Sequence, residues 1–275
     1  MPPIGIATLA GFLQAHGEPC GLFDLNYELH DSVVSPRIEA GYRRHMEQLR
    51  TESFFRPELV AEYDFLSLQN LMYLASLMGQ LRTNGSTAPD SPLQAFLSDA
   101  AERLARFATV GVSVVFRSQI VPAVALLELL RRFSPRPTLV VGGPGVACFD
   151  FKSLADVVVE GDGEVRLLEL VRGNRLPFGP RSEEACGEAS KELALDDIPP
   201  PDYRELLAKY RYLTPSPILP LAITRGCYWG KCQFCSYGWG GKESGRATAR
   251  YRRMSPEAVV EQMETLSQAF GTASV

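Results

Sequence analysis

Thr138-Leu139-Val140-Val141-Gly142-Gly143-Pro144-Gly145 is a Val-rich apolar run that passes directly into a glycine-rich turn. Two similar runs flank it, at residues 110–116 and 156–159, and each pattern indicates a buried strand. Helical patterns separate and follow these runs at 122–133 and 164–172. Short Val-rich strands that alternate with helices are typical of a parallel sheet with helices on both faces. The sequence therefore predicts an α/β fold.

The residues before this alternation predict a mostly helical region. Apolar residues at 4–16 can share one helix face, and Gly17 stands where a helix ends. A short apolar run at 21–25 predicts one more strand. From about 26 to 107 the pattern is helical and loosely periodic, with helices expected at 63–80 and 93–107. We interpret 26–107 as a helical insertion in the α/β domain.

A Pro-rich, acidic connector at 174–216 predicts a domain boundary. The first domain then spans 1–173, and a second begins at 217–275. The second should open with a strand at 218–224. A helix at 255–270 should follow, with Ser255 as its N-cap, Pro256 in its first turn and Gly271 as its stop.

Composition excludes several classes of protein. The chain has 45% hydrophobic and 22% charged residues and a formal net charge of -4, which is typical of globular proteins. This balance predicts neither a nucleic-acid partner nor a membrane-binding basic patch. The apolar run 4–13 has no Lys or Arg before it and is too short to span a bilayer. We therefore expect a cytoplasmic protein, in which the six cysteines are thiols or metal ligands.

Three of the cysteines form the most informative cluster of the chain. Cys227, Cys232 and Cys235 lie within nine residues, on a glycine-containing segment after the predicted strand 218–224. Structural zinc prefers four ligands, and the one candidate fourth ligand is the distant Cys186. Three thiolates instead suit a [4Fe–4S] cluster that keeps one iron open. Zinc binding and plain reduced thiols remain the alternatives.

The residues around this cluster give it a family resemblance. Arg225-Gly226-Cys227, the preceding strand and Cys232-Gln233-Phe234-Cys235 resemble the radical S-adenosylmethionine (SAM) superfamily. The first spacing has four intervening residues, where three are usual, and this variant resembles members that carry an N-terminal B12-binding domain. The resemblance implies that Cys227, Cys232 and Cys235 hold the cluster, that its open iron binds SAM, and that Phe234 lies near the adenine. Reductive cleavage of SAM would then give a 5′-deoxyadenosyl radical.

The first domain adds a second resemblance. Ser113 and, further along, Gly142-Gly143 resemble the Ser-x-Leu…Gly-Gly pair of cobalamin-binding domains, and 160–164 is similar to a Gly-Glu-Gly-Glu-like turn of the same group. The Asp-x-His-x-x-Gly element is absent, which implies a corrinoid without a lower His ligand. The implied fold is Rossmann-like with a flavodoxin-like strand order. The cobalamin contacts implied by the resemblance are Ser113, Gly142, Gly143, Pro144, Gly161, Asp162 and Gly163.

Both folds are expected to be incomplete. The cobalamin-binding fold begins with a central strand before the helix at 4–16, and a radical-SAM β/α barrel needs on the order of 200 residues. Only one β/α unit and the start of a second strand at 272–275 follow the connector. We therefore expect a fragment or a miscalled reading frame that is inactive alone.

The resemblance implies a cobalamin-dependent radical SAM enzyme. Its expected reaction is methyl transfer to an unactivated centre of a small molecule or peptide, with an electron donor such as flavodoxin or ferredoxin. The first alternative is a radical cyclase or rearrangement enzyme whose cobalamin does not donate methyl. The second is an inactive corrinoid-binding or cluster-binding fragment.

Overall fold

The computed structural model describes residues 1–34, 72, 73, 75, 76, 79, 91–173, 193–212, 217–229 and 251–271. Within these ranges the chain forms seven α-helices and five short strands. The helices are α1 (Ile4–Ala15), α2 (Leu25–Leu29), α3 (Pro92–Leu104), α4 (Ile120–Leu130), α5 (Glu164–Val171), α6 (Arg204–Lys209) and α7 (Pro256–Phe270), and the strands are β1 (Thr109–Ser113), β2 (Thr138–Gly142), β3 (Val157–Val158), β4 (Thr224–Arg225) and β5 (Arg252–Arg253).

The centre of the fold is a parallel sheet in the order β1-β2-β3. Thr109 aligns with Thr138 and Ser113 with Gly142, so β1 and β2 end at the same edge. The helices α3 and α4 cover one face, where Val110, Leu139 and Val141 join one apolar core with them. Ser113 points to the other face because side chains alternate along a strand. The predicted α/β class is confirmed, while the Rossmann-like and barrel folds stay predictions.

Most helix predictions are confirmed, and the best marked of them have a local signal at their ends. His16 ends α1 as its C-cap, directly before Gly17. Helix α7 matches the predicted 255–270 closely: the Ser255 side chain accepts from the Ala258 N–H, and Gly271 ends the helix in the left-handed conformation. Of the helix predicted at 63–80, only residues 72, 73, 75, 76 and 79 are described, and all five are helical.

The strand predicted at 21–25 is wrong. Residues 21–24 form no ladder, and Leu25 already begins α2, with Asp24 as its N-cap accepting from the Tyr27 N–H at 3.1 Å. Phe23 packs edge-on against Phe107 at a centroid distance of 5.8 Å. An apolar run forms a strand only where a neighbouring strand takes its backbone hydrogen bonds. Here the run is buried by side-chain packing instead.

The strand predicted at 218–224 is also wrong in its length and its pairing. Of this run, only Thr224 belongs to a strand, β4, which pairs antiparallel with β5, Thr224 opposite Arg253 and Arg225 opposite Arg252. Leu219 is fully buried in an apolar cluster with Ala7 of α1 and Leu266 of α7. The apolar residues of this run therefore pack between helices, and they do not open a parallel barrel strand. The second strand expected at 272–275 lies outside the described residues.

The described part of the predicted connector 174–216 packs closely on α1. Asp202 donates its N–H to the Ala7 carbonyl at 2.9 Å, and Tyr203 and Leu206 are fully buried. Next to them, the Tyr210 hydroxyl donates to Glu28 Oε1 at 2.5 Å, and Glu28 lies within the predicted insertion 26–107. Residues 193–212 thus join the N-terminal helices into one core. The predicted domain boundaries themselves stay predictions.

None of the helices within the described ranges is long and apolar enough to cross a membrane.

The turn after β2 yields a stability prediction. Gly143 has φ +92°, and a Cβ there would lie 2.6 Å from the Val114 carbonyl oxygen. Gly143→Ala should therefore lower the free energy of unfolding by about 2–3 kcal/mol. Alanine is strained in this backbone conformation, and its Cβ would be too close to the Val114 carbonyl. Urea unfolding followed by circular dichroism measures this loss.

Gly111→Ala is the matched control. Gly111 lies in the middle of β1, where a Cβ would meet no atom within 4 Å. We expect this variant to be neutral or to gain up to about 1 kcal/mol, because Ala is the better strand residue. Equal losses in the two variants would contradict the packing of the glycine turn described here.

Candidate functional site

The carboxyl edge of the parallel sheet brings the predicted cobalamin contacts together. Ser113 is the Cα partner of Gly142 across β1 and β2, and 160–164 follows the end of β3. The first turn of α1 reaches the same edge, since a Cβ at Gly5 would lie 3.9 Å from Ser113 Oγ. Loops at the carboxyl ends of parallel strands are the usual ligand sites of such sheets. The sequence spacing between Ser113 and Gly142 therefore corresponds to adjacency in the fold.

The glycines of this edge also have structural reasons for being glycine. The turn folds back on β1, where Gly145 donates its N–H to the Val114 carbonyl at 2.8 Å. A Cβ at Gly145 would lie 2.6 Å from a Val114 methyl group, and the contact at Gly143 is equally close. Gly163 similarly faces Leu9 of α1, at 3.2 Å from an added Cβ. These close approaches are to protein atoms, so the glycines alone do not indicate a ligand.

An ion-pair cluster joins the turn at 160–164 to β4 and β5, the two strands on either side of the cysteine segment. We call these two strands the stem of that segment. Glu164, with only 3% of its surface exposed, accepts from both terminal nitrogens of Arg225, with 3.1 Å to Nη1. Asp162 lies 3.0 Å from Arg225 Nη1 through Oδ1 and 2.6 Å from Arg252 Nη2 through Oδ2. We call Asp162, Glu164, Arg225 and Arg252 the edge ion-pair cluster.

The charges in this cluster balance, which explains how it can be largely buried. Burial alone would lower the pKa of the Arg225 guanidinium, but Glu164 and Asp162 outweigh it, so the pKa is raised and the charge is held firmly. Arg252 also donates from Nη1 to the Leu193 carbonyl at 2.7 Å. Arg225 is thus paired with two carboxylates at the edge of the sheet.

Cys227 follows Arg225 of this cluster closely in the chain. Gly226 has φ +80°, so the chain turns sharply out of β4 in a conformation that favours glycine. Cys227, Tyr228 and Trp229 are all exposed. The first predicted cluster ligand therefore sits at the surface, directly after an anchored strand.

The remaining residues of the predicted cluster and SAM site lie outside the described ranges, namely Cys232, Phe234 and Cys235, as does Cys186. Their roles stay predictions. Among the residues that the structure describes, no group of three His, Cys, Asp or Glu side chains is arranged to hold a metal ion. Cys20 is a poor ligand candidate, because burial, with Glu205 and Asp202, raises the pKa of its thiol.

The donor chemistry fits an iron–sulfur cluster better than the edge fits a corrinoid. Three cysteines within nine residues supply the thiolate ligands that such clusters use. At the sheet edge, by contrast, Asp162 is engaged by two arginines and the glycines pack on Val114 and Leu9. A cavity of about 10 Å³ beside Arg225, bordered by Thr8 and Gln262, has room for one water molecule and not for a cofactor.

The sequence patterns missed Arg252 altogether. It belongs to a strand of two residues, too short to show an alternating pattern, and its partner Asp162 is ninety positions away. The available signal was the excess of charge itself. Three acidic residues, Glu160, Asp162 and Glu164, lie at a strand end, and arginines flank the cysteine segment on both sides. Such pairs are recognised only when the fold brings them together.

No family model matches this chain, and no curated protein or solved structure is significantly similar to it.

The edge ion-pair cluster makes Glu164 a sensitive position. Glu164→Gln keeps the shape of the side chain but leaves Arg225 short of a negative charge. We expect a loss of about 2–4 kcal/mol, somewhat below the full cost of breaking a buried pair, because 21% of the Arg225 side chain is exposed. Urea denaturation at neutral pH measures the change.

Glu169→Gln is the control in the same helix. Glu169 is 44% exposed and lies 3.6 Å from Arg166 in an (i, i+3) pair. Exposed pairs of this kind contribute little, so its removal should change stability by no more than about 0.5 kcal/mol. Losses of the same size in both variants would show that the edge cluster has no special weight.

Proposed function

We propose that this chain carries the iron–sulfur part of a cobalamin-dependent radical SAM enzyme. The observation that carries the proposal is the set of three cysteines, Cys227, Cys232 and Cys235, in a segment whose stem is held by the edge ion-pair cluster. When bound, a [4Fe–4S] cluster supplies the electron for reductive cleavage of SAM. The chain contributes the thiols, the anchored β4 strand, and, at Phe234, an aromatic side chain for the adenine.

The surroundings of Cys227 support a cofactor role over a packing role. A structural thiol is normally buried, whereas Cys227 is exposed, beside Tyr228 at 84% and Trp229 at 57% exposure. Tyr228 and Tyr251 contact each other edge-on at 6.0 Å across the two ends of the segment. Exposed aromatics beside an exposed cysteine suit a surface that is completed by a ligand or a further part of a protein.

Anaerobic reconstitution with iron and sulfide tests the cluster. The unmodified chain should give the optical and EPR spectra of a [4Fe–4S] centre, with an EPR signal that changes when SAM is added. Cys232→Ala should remove at least about nine tenths of the bound iron, because two thiolates cannot replace three. The measurement is iron and sulfide per chain, together with EPR of the reduced sample.

Cys148→Ala is the control for thiol loss, because Cys148 is half-buried in the turn after β2 and belongs to no cysteine group. It should bind as much iron as the unmodified chain. A single tetrahedral zinc with no iron–sulfur spectrum would overturn the proposal. A cluster that forms but never responds to SAM would instead favour the binding-module alternative.

The corrinoid part of the proposal rests on one geometric observation. Ser113 and Gly142 are partners in register at the edge where parallel sheets bind ligands. A serine hydroxyl at that edge can hydrogen-bond a corrinoid side group or its nucleotide tail. Methyl transfer to an unactivated centre is the reaction we propose for the two cofactors together, with a small-molecule or peptide substrate and a flavodoxin-like or ferredoxin-like electron donor.

Ser113→Val tests this contact. Loss of one hydrogen bond should weaken hydroxocobalamin binding about five- to tenfold, measured by titration of the corrinoid absorbance. Thr109→Val changes a hydroxyl on the same face of β1 at its other end, and it should bind as tightly as the unmodified chain. Equal affinity in both variants would remove Ser113 from the proposed site.

A further inference from the structure

The two strands on either side of the cysteine segment place two positively charged side chains opposite each other. Arg225 of β4 and Arg252 of β5 are Cα partners in an antiparallel pair. Like charges directly opposite each other destabilise such a pair. The ladder is also very short, with two residue pairs and one extra bond from the Met254 N–H to the Ile223 carbonyl at 2.9 Å. Two-stranded pairs of this size are not stable by themselves.

Asp162 resolves the conflict with a single carboxylate. Its Oδ1 lies 3.0 Å from Arg225 and its Oδ2 lies 2.6 Å from Arg252, so the one group joins both strands. Among the described residues, Glu164 pairs with Arg225, which belongs to the entry strand β4. Both carboxylates are fixed to the parallel sheet, since Asp162 lies between β3 and α5 and Glu164 is the first residue of α5.

The position of Cys227 depends on this anchor. Cys227 is two residues beyond Arg225, so their Cα atoms are at most about 7 Å apart. No other charged residue of β4 or β5 reaches the sheet through an ion pair within the described ranges. Whatever fixes Arg225 therefore fixes the place from which the three-cysteine segment starts, and Arg252 fixes where the chain returns.

We propose that Asp162 and Glu164 are positioning residues for the three-cysteine segment, with Asp162 holding its two ends together. This assigns Asp162 a role other than the cobalamin contact implied by the sequence resemblance. The inference rests on the proposed function for its meaning in catalysis, but the anchoring itself can be measured without any cofactor.

The first experiment measures anchoring alone. A nitroxide label is attached to Cys227 in a chain whose other five cysteines, Cys20, Cys148, Cys186, Cys232 and Cys235, are replaced by serine. Asp162→Asn should shorten the rotational correlation time of the label at least twofold, because the carboxylate bridge between the strands is lost. An unchanged spectrum in Asp162→Asn would overturn the inference.

Asp156→Asn is the matched control. Asp156 also pairs with an arginine, Arg136, at 2.7 Å to each of two nitrogens, but it precedes β3 at the opposite end of the strand. A comparable ion pair is lost there without effect on the stem, so the label should keep its mobility. If Asp162→Asn fails to fold by circular dichroism, Arg252→Lys replaces it, since the charge stays while the geometry of the contact with Asp162 changes.

The second experiment measures the cluster in the unmodified cysteine background. Asp162→Asn should retain at most about one third of the reconstituted iron or broaden the EPR signal of the reduced cluster, while Asp156→Asn matches the unmodified chain. Full, unbroadened cluster signals in Asp162→Asn together with an immobile label would overturn the positioning role. If the unmodified chain forms no cluster, the proposed function fails, and the label experiment still decides the anchoring.

Discussion

The edge ion-pair cluster is the interaction that fixes the two strands beside the cysteine segment to the parallel sheet. Two carboxylates at the end of the parallel sheet neutralise two arginines that would otherwise repel each other across a ladder of two residues. Removing one member of such a set leaves a poorly solvated charge, which costs more than the pair itself contributes. Each member of the cluster therefore depends on its partners for charge compensation.

The sequence predicts those parts of the fold whose signals are local. Ser255, Pro256 and Gly271 mark both ends of α7, and the Val-rich runs locate β1, β2 and β3 to within a few residues. Prediction fails where an apolar run has two ways of being buried. The runs at 21–25 and 218–224 are buried through their side chains and do not join a parallel sheet, because no described strand lies beside them in parallel.

The candidate site divides in the same way. The motif resemblance joined Ser113 with Gly142, and the two residues are partners in register across β1 and β2. It could not reveal that Asp162 pairs with Arg225 and Arg252, because those partners are brought together only by the packing of distant segments. The role of a glycine at a strand end is ambiguous for a related reason. At Gly143 the close approach of the Val114 backbone already requires glycine, with or without a ligand nearby.

The antiparallel stem has one more consequence, for the length of the segment it closes. Because β4 and β5 lie side by side, the two ends of the segment 226–251 lie next to each other. The entropic cost of bringing the two ends of a chain segment together grows only with the logarithm of the segment's length, so doubling that length costs about 0.6 kcal/mol. A change in the number of residues between the two strands should therefore cost little free energy, so the α/β scaffold can stay the same while the length of this segment differs.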